Sequence, residues 1–169
     1  TIPVGSQYTP GNTQVLSPTL TEPQLRVHVR YPDGTLTEAR VLLWNEHADQ
    51  ESLSYPLTPA GFGALPDGEY DVEAWPVEKD IPSWANSIRK GVEVKGAIAA
   101  PQILTLTLRR PDLTGVVRTP EGGTLPQALD WEGQQVDDPV HVYVHNDDWS
   151  INLAGPTNKT GEYALAAPV

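Results

Sequence analysis

The segment His141–Asp148, HVYVHNDD, holds the densest set of side chains able to bind a metal or move a proton. In an extended strand His141, Tyr143 and His145 share one face, and Val142 and Val144 the other. The two imidazoles would then stand about 13 Å apart at the usual rise, too far to ligate one ion. A solvated outer face backed by core valines explains the pattern better. Oxygen donors for calcium occur at Asp137-Asp138-Pro139 and along NEHADQE at 45–51, and neither run has the spacing of a known calcium loop. Ser, His and Asp are all present, but no glycine elbow frames a serine, and no glycine-rich loop cradles phosphate. Lys79, Lys90, Lys95 and Lys159 have the chemistry for isopeptide cross-links, and none sits in a diagnostic motif. These residues predict a protein that is not an enzyme and carries no cofactor and no metal.

Surface chemistry is more suggestive. Asn158-Lys159-Thr160 is the one N-x-[ST] sequon, in a predicted turn, so Asn158 is a candidate glycan acceptor. Thr9, Ser17 and Thr19 stand near prolines and are candidates for O-linked sugars. Five tryptophans, Trp44, Trp75, Trp84, Trp131 and Trp149, suit either packing or the stacking of carbohydrate. The formal net charge of -11 excludes a nucleic-acid partner, which needs a basic face. No apolar run approaches the length of a membrane-spanning helix, so membrane insertion is not expected. With no Cys, disulfides and thiol chemistry drop out together. With no Met, Thr1 is not an initiator, and the chain is expected to be a processed product or a piece of something longer.

The elements that must position these groups read as strands. Pro 17 and Gly 14 in 169 residues, with many Thr and Val, indicate an all-β, loop-rich chain. QLRVHVR alternates Leu25, Val27 and Val29 against Arg26, His28 and Arg30, which is the signature of a half-buried strand. PDGT follows as a turn, then ARVLLWN, a turn at Pro66-Asp67-Gly68, the alternation Tyr70, Val72, Ala74, and the strands GVEVKG and QILTLTL. The chain also repeats itself. Sliding it by 88 positions lays residues 14–35 on 102–123 with 10 of 22 identical: Gln14, Leu16, Thr19, Leu20, Pro23, Leu25, Val29, Arg30, Pro32 and Gly34.

VRYPDGTLTEARVLL followed by TPAGFGALPDGEYDVEAW resembles the carboxypeptidase regulatory-like domain, a small transthyretin-like β-sandwich. The resemblance covers residues 24–108 and recurs through GVVRTPEGG, VHVYVHND and TNKTGEYAL in 112–169. It implies two tandem Ig-like or transthyretin-like sandwiches and an extracellular accessory or adhesive role, with no catalytic residues. Within the second copy, residues 124–139 form an insertion, and the chain is expected to stop before the final strands. Gly161-Glu162-Tyr163 corresponds either to Gly61-Phe62 or to Gly68-Glu69-Tyr70, with the first preferred.

TQVLSPTL at 13–20 matches PQILTLTL at 101–108, the last strand of a unit. The expected organisation is therefore an N-terminal extended donor segment at 1–22, a first sandwich at 23–110, and a second at 111–169 that is incomplete at its C-terminal end. A missing strand leaves unpaired backbone groups and an open apolar groove, which a neighbour's extended segment can fill. Ile2, Val4, Tyr8, Val15, Leu16 and Leu20 are the expected donor positions. Val116, Val142, Val144, Tyr163 and Leu165 are the expected core of the acceptor. Donor and acceptor at opposite ends of a chain give a heterologous contact and an open, helical polymer. The expectation is a subunit of a pilus-like extracellular fibre whose partners are copies of itself, with covalent glycans, at the cell surface. The alternatives are a fragment of a multi-domain cell-surface adhesin or stalk, and a carbohydrate-binding module of a secreted enzyme.

Overall fold

A computed structural model describes residues 22–95, 100–123, 140–148 and 152–167. Its regular structure is all-β and sandwich-like, apart from one 3-10 turn at Glu78–Asp80. The first strand, β1 (Leu25–Arg30), buries Leu25, Val27 and Val29 and turns its charged residues outward, as its alternation dictates. The strands β2 (Ala39–Trp44), β3 (Asp49–Ser54), β4 (Ala60–Phe62), β5 (Gly68–Pro76), β6 (Ser87–Val94) and β7 (Gln102–Thr107) follow. Three of them form one sheet in the order β4-β1-β7, and four the other, β3-β2-β5-β6. Between the sheets, Val27, Val29, Val41, Leu43, Phe62, Tyr70, Val72, Leu106 and Leu108 make one continuous core. Each fully buried Val, Leu or Phe among them contributes roughly 1.5–3 kcal/mol. Tyr70 keeps its hydroxyl satisfied by donating to the Pro66 carbonyl at 2.8 Å.

Within the three-stranded sheet the two neighbours of β1 differ in direction. β4 is antiparallel, with Leu25 opposite Phe62, while β7 is parallel, with Leu25 opposite Gln102 and Arg30 opposite Thr107. The chain reaches β7 by crossing from the other sheet after β6, the kind of long connection a parallel pair requires.

A second set of strands follows: β8 (Leu113–Val116), β9 (His141–His145), β10 (Asn152–Pro156) and β11 (Glu162–Leu165). β8 pairs with β11 and β9 with β10, both antiparallel. The sequence repeat is a repeat in geometry too. Gly34 N–H donates to the Tyr31 carbonyl at 3.0 Å, and 88 residues later Gly122 N–H donates to that of Thr119 at 2.8 Å. Both glycines take the left-handed φ that closes these turns, +90° and +80°.

The two sets meet at the pole where β1 and β7 end. Ala85 and Arg109 exchange backbone hydrogen bonds of 2.9 and 3.2 Å, and Ala85 packs against Ala164 and Ala166. His141 stands edge-on to Trp75 at 5.0 Å, and Arg110 lies 4.4 Å over the Trp84 ring.

Candidate functional site

β8 carries the feature most in need of a partner. In the first set β1 has neighbours on both sides. β8 occupies the same place in the repeat, and among the described residues it pairs on one side only, with β11. The β8–β11 pair repeats β1–β4, since Leu113 faces Leu165 as Leu25 faces Phe62. β11 therefore stands where β4 stands, in agreement with the preferred of the two alignments at the level of the element. The residue match moves, however: Leu165 is the counterpart of Phe62, and Gly61 corresponds to Ala164 rather than to Gly161. The edge that β7 occupies on β1 has no described strand on β8.

Burial records the same asymmetry. Leu25 is 0% exposed and its counterpart Leu113 is 38% exposed. Strand alternation puts Leu113 and Gly115 on the face that meets Leu165 and Tyr163. Gly115 has a local reason: a Cβ there would come within 2.6 Å of the Tyr163 ring, which lies across the strand. In the first set the sizes are exchanged, with Val27 opposite Ala60. Gly155 serves in the same way beneath Leu165, where a Cβ would meet the leucine at 2.7 Å.

Of the expected acceptor residues, Leu165 is fully buried, while Tyr163, Val142 and Val144 are half-buried. Val116 is 46% exposed and shares its face with Glu162, so it is Leu113, not Val116, that faces the interior of this set. The expectation for Val116 came from its apolar character, and the alternation of β8 overrides it. All six expected donor residues, Ile2, Val4, Tyr8, Val15, Leu16 and Leu20, lie outside the described residues, as do Thr9, Ser17 and Thr19.

The chemistry-bearing residues are dispersed or tied down. His141 faces Trp75, and Tyr143 is 63% exposed on the same strand. Among the described residues no three of His, Asp and Glu converge as a metal site would require. A depression of about 550 Å³ between the two sets is lined by Glu38, Val77, Lys79, Ile81, Asn158 and Glu162, among others. Among the charged groups in and around it, Lys79 pairs with Glu38 at 3.6 Å and Lys159 with Glu78 at 3.5 Å. Asn158 there organises the turn before β11. Its Oδ1 accepts from Thr160 N, Thr160 Oγ1 and Glu162 N at 3.0, 2.7 and 2.9 Å. Its Nδ2 donates to Glu162 Oε2 at 2.7 Å and to the Ile81 carbonyl at 3.3 Å. The Asn158 bond first, and second a bond that Thr160 Oγ1 donates to Glu162 Oε2 at 3.0 Å, hold the Glu162 carboxyl below its usual range. A glycan on Nδ2 would leave it a single N–H, so one of its two bonds would have to break. Trp75 is 7% exposed, and Trp84 is covered by Arg110, so neither ring is open for a sugar to stack on.

One titratable group is perturbed in the opposite sense. Burial raises the Glu73 carboxyl above its ordinary range, against the lowering effect of a hydrogen bond from Asn86. It lies on the outer face of the four-stranded sheet, which β8 does not join. Compared with family models, curated proteins and solved structures, the chain matches none.

Proposed function

We propose that this chain is a structural subunit of an extracellular, pilus-like filament, polymerised head to tail by strand donation between copies. One copy's N-terminal segment adds a strand to the second, incomplete sandwich of the next copy. The observation that carries the reading is the β8 edge that no described strand occupies, taken together with the β7-like sequence of residues 14–20. An open strand edge offers unpaired N–H and C=O groups, and each such group, once buried, costs about 1–3 kcal/mol unless a strand pairs with it. Completing the burial of Leu113 adds on the order of 1 kcal/mol. The same addition within one chain is disfavoured by reach. The five steps from Leu20 to Leu25 span at most about 18 Å. β1 itself separates its start from the joint by about 17 Å, before any distance to β8 is added.

Deleting residues 1–21 tests the reading, because it removes the donor and leaves the described strands whole. The full chain is expected to form filaments visible by electron microscopy, and the truncated chain to sediment as a monomer. Filaments that persist after the deletion, or a full chain that stays monomeric at high concentration, would overturn it. The extracellular setting rests on the resemblance to the carboxypeptidase regulatory-like domain, and surface labelling of intact cells tests it separately.

A further inference from the structure

The β1–β7 ladder is a template for the contact between copies. We propose that residues 14–20 of one copy add to β8 of the next as a parallel strand, in the register that β7 takes on β1. This rests on the head-to-tail reading above. On β1, Leu25 lies opposite Gln102, Val27 opposite Leu104 and Arg30 opposite Thr107. Shifting each partner by 88 residues sets Gln14 opposite Leu113, Leu16 opposite Gly115 and Thr19 opposite Arg118.

Three features of the molecule agree with that register. Leu106 and Leu108 are buried and Leu104 is half-buried, whereas Ile103 is 69% exposed. By the same alternation Leu16 and Leu20 enter the interior, and Val15, Ser17 and Thr19 stay outside. Leu16 then lies beside Gly115, which has no side chain of its own to compete for the space and across which the Tyr163 phenol lies. On the outer face, Arg30 Nε donates to Thr107 Oγ1 at 3.0 Å. Both residues recur, as Arg118 and Thr19, so the register rebuilds this cross-strand bond between copies.

The ladder differs at one position. Gln102 N–H donates to the Gln24 carbonyl at 2.9 Å and Leu108 N–H to that of Arg30 at 2.8 Å. Alternate residues of β7 thus point their N–H groups at β1, as parallel pairing requires. Their counterparts are Gln14, Leu16, Pro18 and Leu20, and Pro18 has no N–H to give. The joint therefore forms with one backbone bond fewer than β7 makes.

The absence of Cys makes disulfide mapping clean. Val15 and Thr114 fall directly opposite each other on the outer face, and neighbouring strands about 4.8 Å apart lie within disulfide reach. Filaments of three full-length variants, Val15→Cys, Ser17→Cys and Thr19→Cys, each combined with Thr114→Cys, are oxidised and run on a denaturing, non-reducing gel. The 15/114 pair is expected to give a ladder of multimers at least tenfold stronger than the 17/114 and 19/114 pairs. A stronger ladder from 17/114 or 19/114 overturns the register or direction and leaves head-to-tail strand donation standing. Filaments without a ladder from any pair overturn the register in the same way. An oxidised monomer from 15/114 means closure within one chain and overturns both readings, as does a native chain that forms no filaments.

Discussion

Gly115 and Tyr163 show a size exchange that single positions can test. The first strand set places Val27 opposite Ala60, and the second places Gly115 opposite Tyr163, with the ring across the glycine. Gly115→Val is expected to destabilise the second set by about 1–3 kcal/mol, the usual cost of overpacking. Adding Tyr163→Ala recreates the Val–Ala pair and is expected to recover much of that loss. Denaturant titration of the two single variants and the double variant would measure the coupling, and strictly additive losses would refute it. Glu73 makes a second residue-scale prediction. Burial raises its carboxyl above the ordinary 4.5, so the folded chain holds this proton more tightly than the unfolded chain does. Stability from this group is therefore present below that value and lost as pH rises through the raised one. Glu73→Gln is expected to flatten the fall of Tm above pH 4.5 and to melt higher than the native chain at pH 7. Glu51 and Glu162 are shifted down, by Arg40 and by Asn158 respectively, so their losses fall at lower pH and do not mask the effect. Parallel Tm curves for the variant and native chains would dismiss Glu73 as the source.

Among the elements, Pro18 is the informative one. It stands where β7 has Leu106, and Pro18→Leu restores both an N–H and an inward leucine. Subunit release from filaments is expected to slow about tenfold, since one net hydrogen bond contributes about 1 kcal/mol and the larger apolar side chain adds to it. Dilution-induced disassembly followed by light scattering measures the rate, and unchanged or faster release would count against the parallel register. This element also marks how far the sequence could be read. β1, β2, β5, β6 and β7 were legible because each alternates apolar with polar residues or carries a β-branched run. β3 was not: DQESLS buries only Ser54 fully, as an edge strand can, and its acidic residues stand out as oxygen donors, without the spacing of a calcium loop, rather than as strand positions. β4 has three residues, Ala60 to Phe62, too few for any period to show. The parallel direction of β7 was equally hidden, because periodicity carries no sign for strand direction. In the second set the residue types pointed to β8, β9 and β11, while the face of Val116 was misjudged. Four residues give too short an alternation to choose between Leu113 and Val116 without the partner strand.

For the whole molecule, charge sets the condition for assembly. Each copy carries a formal net charge of -11, so two copies approaching end to end repel one another. The proposed contact depends on backbone hydrogen bonds and on Leu16 and Leu20 entering an apolar interior, and the donor residues 1–22 carry a single charge, Glu22. Salt therefore weakens the repulsion while leaving the attraction nearly untouched. The Debye length falls from about 30 Å at 0.01 M to about 10 Å at 0.1 M, so distant acidic groups on the two copies cease to interact across that range. Filament growth is expected to accelerate with sodium chloride over this interval, with little change above it. Turbidity or light scattering of freshly purified chain at a series of ionic strengths measures the effect. Growth that slows with salt would mean that ion pairs between copies drive the joint, which strand donation in the β7 register does not provide.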